Sequence, residues 1–180
     1  MAKVTNPKKP NNKVGNISID NVNNYLYKER QLIVDFSFEG SFSSCKIGDY
    51  NNCLISPNQF IEKFRFLMKD VKNLSEKTLG YLIENGGYRH CHKVSDEEKA
   101  LNIIKTVFKN FDKENSYEQE VGGEEIFQLG MQSEIRVIGI IKGNIFRVHF
   151  IDYHHDFDYD QKRNIMNKKH CNFCVINSKL

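Results

Sequence analysis

The chain has 180 residues, a mass of 21.1 kDa and a formal net charge of +3, and 39% of its residues are hydrophobic. This size predicts one domain with a sizeable core, and no apolar run is long enough to cross a bilayer. The N-terminus (MAKVTNPKKPNNKVGN) has no hydrophobic centre, which argues against a secretory signal, and five irregularly spaced cysteines favour a reducing compartment. We therefore expect a cytoplasmic protein with no membrane partner.

Charge is distributed unevenly along the chain. Four lysines precede the first acid at Asp20, five cations but no acidic side chain follow Asp160, and the segment 112–125 is acidic. We predict a flexible basic head at 1–20, a single globular domain at 21–165 and a basic tail at 166–180. Basic ends suit a polyanion such as RNA, because phosphate neutralisation dominates nucleic-acid affinity. Termini that are simply solvated are the alternative.

The first half of the domain is predicted to contain one strand and two helices. Residues 31–39 alternate with Leu32, Val34, Phe36 and Phe38 on one face, which is typical of a strand. Ser56-Pro57-Asn58-Gln59 forms a capping box that begins a helix over 57–73. A second helix is expected over 76–85, ending at Gly86-Gly87.

The second half is predicted to contain a third helix and a strand meander. Ser95-Asp96-Glu97-Glu98 is another capping box, and the apolar stripe behind it predicts a helix over 96–111. An acidic loop follows, and then strands at 125–131, 134–141 and 145–152, the last two joined by the turn Lys142-Gly143-Asn144. This order predicts an α+β fold, an antiparallel sheet with helices packed on one face.

Polar side chains concentrate in and after the last predicted strand, and histidine is well suited to proton transfer near neutral pH. RNA cleavage by 2′-hydroxyl attack needs a base, an acid and a cation, and no metal. His154 or His155 can serve as base or acid, and Arg136 as the cation. Alternation along the strand places His149, Ile151 and Tyr153 on one face. The candidate catalytic residues are His154, His155, Arg136, Tyr153, His149 and Tyr159; a rim of hydrogen-bonded imidazoles is the alternative.

A second basic and aromatic patch precedes the third helix. It can stack bases or bind phosphate, so we name Tyr88, Arg89, His92 and Lys93, which flank His90, as candidate RNA-binding residues. A loop with solvated charges is the alternative.

Two Cys/His groups have the residue types that bind zinc. These are His90-Cys91-His92 and the His170-Cys171-x-x-Cys174 segment, but the latter lacks a second C-x-x-C partner. Cys45 and Cys53 look like ordinary buried thiols. We therefore predict no metal and no cofactor, and a tail beyond about 165 that adds little stability.

The C-terminal half resembles the RelE/ParE-like toxin superfamily. Residues 136–141 and 145–151 resemble its meander, the exit at 154–159 its terminal His…Tyr element, and the region of 66–70 and Leu74-Ser75 its helix hairpin. The match is strongest over 125–160. It implies a RelE/ParE-like fold and a metal-independent endoribonuclease of the mRNA interferase type, from a toxin–antitoxin or mobile-element system.

The resemblance also implies partners. Relatives of this kind cleave mRNA on the ribosome and are neutralised by an antitoxin protein, so RNA and an antitoxin are the expected partners. Two alternatives remain open from the sequence: a protein-interaction module with a toxin-like fold and no catalysis, and a small zinc-stabilised domain.

Overall fold

The computed structural model describes residues 27–84, 88–157 and 171–176. The predicted head at 1–20, and most of the predicted tail, lie outside these ranges. The elements run in chain order as β1 (Ile33–Asp35), a 3₁₀ turn (Glu39–Phe42), β2 (Lys46–Ile47), β3 (Tyr50–Asn51), α1 (Pro57–Ser75), α2 (Leu79–Ile83), β4 (His92–Lys93), α3 (Glu97–Asn110), α4 (Glu114–Val121), β5 (Ile126–Leu129), β6 (Arg136–Lys142) and β7 (Ile145–Asp152).

The predicted C-terminal meander is confirmed and forms the centre of a five-stranded sheet. The strand order is β1-β7-β6-β5-β4, and every pairing is antiparallel except that of β1 with β7. The predicted strand over 31–39 shrinks to three residues, since the chain turns at Phe38 into the 3₁₀ turn. There Ser41 Oγ donates to Phe38 O at 2.7 Å and to Val148 O at 2.8 Å, which anchors the turn to β7. The sheet is therefore mixed, with its parallel pair at one edge.

Helices cover both faces of the sheet, so the prediction of helices on one face is wrong. Leu67 and Leu74 of α1 and Leu82 of α2 share a core with Val137 and Val148. On the other face Ile103, Ile104 and Val107 of α3 pack with Ile138 and Ile140. The physical reason is that β6 is apolar on both faces, a pattern typical of a strand buried from two sides.

The long helices follow their capping signals closely. Ser56 Oγ accepts from Gln59 N at 3.3 Å, and Gln59 Oε1 accepts from Ile55 N at 2.7 Å, so α1 begins where the capping box predicts. At α3 the cap is Asp96 rather than Ser95, with Lys99 N donating to Asp96 Oδ1 at 3.0 Å.

Two helices depart from expectation. The predicted helix at 76–85 is shorter, since Thr78 caps α2 and extended backbone at Glu84 ends it. The acidic segment, expected as a loop, contains α4, of whose residues only Val121 is buried. None of the helices in the described part of the chain combines the length and the apolar character needed to cross a membrane.

A β-bulge interrupts the pairing of β6 with β7. Ile138 pairs with Phe150 and Gly139 with Val148, which leaves His149 as the extra residue. A Cβ on Gly139 would lie 1.9 Å from the Arg147 carbonyl oxygen, so this close approach requires glycine. The bulge turns His149 toward α3, where its ring lies against Phe38 and Phe108. The predicted alternation, with His149 on the face of Ile151 and Tyr153, is therefore wrong.

Candidate functional site

The exit of β7 is a tight turn organised by one buried carboxylate. Asp152 Oδ1 accepts from His154 N at 3.1 Å, and Asp152 Oδ2 accepts from Asp156 N at 2.6 Å and Phe157 N at 2.8 Å. Burial raises the pKa of Asp152, while these three N–H donors act in the opposite direction. Inside the turn His155 adopts a left-handed backbone conformation with φ of 55°. The turn thereby sends the two neighbouring histidines in different directions.

His154 faces the small hairpin formed by β2 and β3. Its Nε2 lies 2.8 Å from the carbonyl oxygen of Cys53, so this nitrogen carries a proton and donates it to the backbone. A ring that donates to a backbone carbonyl fixes the position of the turn. The predicted role of His154 as a freely exchanging base or acid is therefore not supported by its position.

His155 faces the segment that precedes β4. Its ring lies 6.2 Å from the ring of His90, centroid to centroid, at an interplanar angle of 85°. Both side chains are partly buried. We call this pair, His90 and His155, the histidine rim. Two imidazoles in edge-to-face contact can both reach the oxygens of one phosphate group.

Charges around the histidine rim favour a neutral imidazole at His90. Burial lowers the pKa of His90, and the charges of Arg136 and Arg89 lower it further, while the carboxylate of Asp70 opposes them. A neutral imidazole accepts a proton, which is what a general base must do.

Arg136, the predicted cation of the site, is 2% exposed, so its guanidinium does not lie where a phosphate could bind it directly. Its Nη1 donates to Ser133 O at 2.6 Å and to Ile135 O at 2.8 Å, and its side chain packs over Gly130. The guanidinium charge acts on the histidine rim from beneath the surface.

Two further candidates lie in the core, and one lies outside the described residues. Tyr153 and His149 are both fully buried, so neither can contact a macromolecular substrate. Burial, then the charges of Arg147 and Lys142, lower the pKa of His149 to about 4. Neither ring nitrogen of His149 has a hydrogen-bond partner of normal geometry among the described residues. Tyr159 falls in the part of the chain that the structure does not describe.

The predicted RNA-binding patch divides in the structure. Tyr88 packs against the core, and Lys93 pairs with Glu97 and Glu125. His92 Nδ1 lies 2.8 Å from Lys93 O. Only Arg89 of the four residues combines an exposed side chain with a place beside the histidine rim.

A cleft of about 340 Å³ opens between α1 and the loop that precedes β6. It is lined by Phe66, Lys69, Asp70, Gln132, Ser133 and Glu134. Asp70 connects this cleft to the histidine rim, since it accepts a hydrogen bond from Ser133 Oγ at 2.5 Å and its charge acts on His90. Phe66 is 51% exposed and also borders a second depression of about 240 Å³ with Arg65 and Lys69.

Sequence reasoning missed three residues of this site. In the sequence His90 belongs to the basic and aromatic patch and to one of the two Cys/His groups, and Asp70 and Phe66 lie in the region that resembles a helix hairpin. A signal existed in α1, because an aromatic residue on an otherwise charged helix face, between Arg65 and Lys69, is unusual for a helix that only covers a core.

The described ranges contain no group of three or more Cys, His, Asp or Glu side chains arranged so that they could hold a metal ion as they stand. A larger depression of about 550 Å³ lies at the opposite end of the sheet, near Gly143 and Tyr27. Charges on its lining are already paired: Lys28 with Glu84, and Glu124 with Lys142.

Comparison with known proteins gives a family but no activity. Residues 37–180 match the model of the family described as "Uncharacterised protein UU032". The chain is 24% identical to "Uncharacterized protein UU032" of Ureaplasma parvum serovar 3 (strain ATCC 700970), over 97% of this chain and 93% of that protein. No solved structure matches. Because the family model covers most of the chain, the protein belongs to the UU032 family.

Proposed function

We propose that this member of the UU032 family is an RNA-directed protein, a metal-independent endoribonuclease that acts at the histidine rim. The observation that carries the proposal is the pairing of His90 and His155 beside the buried charge of Arg136. In this proposal the RelE/ParE-like toxin resemblance supplies the reaction class; His155 is retained from the predicted catalytic residues, and His90 is added to it.

The roles follow from the surroundings of each side chain. Neutral His90 takes the proton of a ribose 2′-hydroxyl, which then attacks the adjacent phosphorus. His155 delivers a proton to the departing 5′-oxygen, so that the strand breaks and a 2′,3′-cyclic phosphate forms. Arg89 is exposed beside His90 and offsets the charge that develops on the phosphate oxygens.

The cleft beside α1 supplies the means of holding single-stranded RNA. A base can stack on the exposed ring of Phe66, while Arg65 and Lys69 attract the phosphates on either side. Asp70 lines the same cleft as Phe66 and its charge acts on His90, so we propose that a strand stacked on Phe66 continues toward His90.

The second candidate function is a protein-interaction module without catalysis. The observation that favours it is the exposure of apolar side chains near and on α1, where Ile55 is 56% and Ile61 is 58% exposed. An antitoxin-like partner would cover this face. The module predicts binding of a protein with no change in RNA.

The test is RNA cleavage by the full chain in two assays: on single-stranded RNA in a buffer without Mg²⁺, and in a complete translation extract. His90→Ala and His155→Ala should each lower the rate by roughly 10²–10⁴, the usual loss on removing an acid–base group. His92→Ala is the matched control, because its ring is tied to the backbone two residues from His90, and its rate should stay within a few-fold of wild type.

A 2′-deoxyribose at the cleavage position should block the reaction, because the nucleophile is then absent. Intact RNA in both assays with wild-type protein would refute the nuclease. RNA binding that weakens in Phe66→Ala, without cleavage, would leave an RNA-binding protein, and no RNA binding at all would favour the interaction module.

A further inference from the structure

Four of the five cysteines meet at one place in the fold, although they come from distant parts of the chain. Cys45 precedes β2 and Cys53 follows β3, at the base of the small β2–β3 hairpin. Cys171 and Cys174 form the C-x-x-C of the short segment 171–176. Cys91, the fifth, lies apart and donates to Gly130 O at 3.4 Å. All five are thiols in the structure.

Backbone hydrogen bonds hold the C-x-x-C segment against the hairpin. Leu54 and Phe173 pair as an antiparallel bridge, with N–H to O distances of 2.9 and 2.8 Å. This register places Cys53 and Cys174, the adjoining residues, at neighbouring positions across the bridge. Asn51 Nδ2 donates to Cys171 O at 3.3 Å, which fixes the other end of the segment.

Polar contacts inside the hairpin bring the remaining cysteine into the same place. Asn52 Oδ1 accepts from Cys45 N at 2.7 Å, so Cys45 lies across the hairpin from the residue that precedes Cys53. Ser44 N donates to Cys174 Sγ at 3.2 Å. Burial first, and then the Cys53 and Cys174 thiols, raise the pKa of Cys45 to about 12, as expected for sulfurs in one environment.

We infer that Cys45, Cys53, Cys171 and Cys174 form a four-thiolate binding site for Zn²⁺, which fastens the C-terminal segment to the β2–β3 hairpin. Two pairs of cysteines from separate segments are the ligand set of structural zinc sites, which are tetrahedral and closed. The second ligand pair, which the C-x-x-C lacks in the sequence, is supplied by the hairpin.

The surroundings suit a thiolate cluster. A zinc ion with four thiolates carries net negative charge, and the cations of Lys46 and Lys63 lie close to Cys171. Burial raises the pKa of Cys171, and these two cations act in the opposite direction. The Ser44 N–H that donates to Cys174 Sγ is the kind of hydrogen bond that supports a ligating sulfur.

The four sulfurs do not surround one point as they stand. A change of χ1 rotamer re-aims a sulfur while its backbone stays in place, and metal binding drives that change.

The experiment measures zinc in the full chain, expressed with zinc in the medium and purified without chelators. We expect roughly one zinc per chain. Cys45→Ser, Cys53→Ser, Cys171→Ser and Cys174→Ser should each lose most of it, whereas Cys91→Ser, a buried cysteine outside the cluster that can keep its hydrogen bond to Gly130, should retain it.

A second measurement does not depend on the variants folding. Wild-type protein reconstituted with Co²⁺ should show the strong near-ultraviolet charge-transfer absorption of cobalt–thiolate bonds, and removal of zinc by a chelator should lower its melting temperature. Zinc-free protein with five thiols reactive on unfolding would overturn the inference, and so would disulfides among the four cysteines. Retention of zinc in all five variants would also overturn it. None of these outcomes depends on RNA cleavage, so the zinc site and the proposed nuclease activity can be refuted independently of each other.

Discussion

His149 and His155 belong to the same strand exit in the sequence, yet the structure places them in opposite environments. His149 is fully buried between Phe38 and Phe108, with the pKa of its ring lowered to about 4. His155 lies at the surface rim, edge to face with His90. The ring of His149 packs in the core and stays neutral at physiological pH, whereas the ring of His155 contacts another imidazole at the surface. The comparison teaches that a cluster of histidines in sequence is not a cluster in space.

Two local structural features produce the different environments of His149 and His155. The β-bulge opposite Gly139 rotates His149 toward α3, and the three hydrogen bonds to Asp152 fold the chain so that His155 turns away from the strand. Each feature can be removed by a single substitution, and each removal has a distinct consequence.

The largest effect is expected from Gly139→Ala. The added Cβ would meet the Arg147 carbonyl oxygen at 1.9 Å, so the strands must separate and the bulge that buries His149 is lost. We expect destabilisation of about 4 kcal/mol, measured by urea unfolding, or failure to fold. Gly48→Ala is the control: it has a positive φ but open space around it, so only backbone strain of about 1 kcal/mol applies. Equal effects of the two substitutions would contradict the role given to the bulge.

Asp152→Asn should have the next largest effect. The amide presents one acceptor oxygen to a turn that uses both carboxylate oxygens, so at least one buried N–H loses its partner. A loss of roughly 2–3 kcal/mol in unfolding free energy follows. Asp35→Asn is the matched control, since the partly exposed pair of Asp35 with Arg147 is worth no more than about 1 kcal/mol. If Asp152→Asn lowered the unfolding free energy by no more than Asp35→Asn does, the Asp152 carboxylate would not organise the turn.

The sequence predicted the parts of the fold that rest on short-range signals. Both capping boxes mark the starts of their helices to within one residue, and the Gly143 turn marks the β6–β7 hairpin. The parallel edge strand β1 and the division of the helices between two faces depend on long-range packing. The residues in and around β1 give no signal that its partner strand is β7. The continuous apolar run of β6 did carry the signal for burial on both faces.

The candidate site was predicted less well than the fold, because it also depends on contacts between segments that lie far apart in the chain. Only the general location, at the exit of β7, came from the sequence. The pairing of His155 with His90 joins two segments far apart in the chain, and the same is true of Cys53 with Cys174. A bulge shifts the face of a strand by one residue, so alternation misplaced His149.

A pH titration of the unfolding free energy tests the burial of His149. The pKa of His149 is about 4 in the folded chain and near 6.5 in the unfolded chain, so the unfolded chain takes up the proton first as the pH falls. The stability that depends on a neutral His149 ring is fully present above pH 6.5 and is lost as the pH falls from 6.5 to 4. At pH 5 the loss amounts to roughly 2 kcal/mol.

His149→Phe should remove this pH-dependent loss. Its unfolding free energy at pH 7.5 should stay within about 1.5 kcal/mol of that of wild type, because an apolar ring of similar shape fills the site. The measurement is urea unfolding of both proteins at pH 7.5 and 5. Parallel pH dependence in the two proteins would show that His149 does not titrate as its burial requires.

The smallest effect on stability is expected from His155→Asn, and it is the one that isolates function. His155 has a φ of 55°, and asparagine tolerates this left-handed conformation better than most side chains, so the turn keeps its shape. The unfolding free energy should change by no more than about 0.5 kcal/mol, as at other positions near the surface. RNA cleavage should nonetheless fall as far as it does in His155→Ala, because an amide cannot transfer a proton. If instead stability falls by several kcal/mol and cleavage is unaffected, His155 is a structural residue like His149, and the contrast between core and rim does not hold.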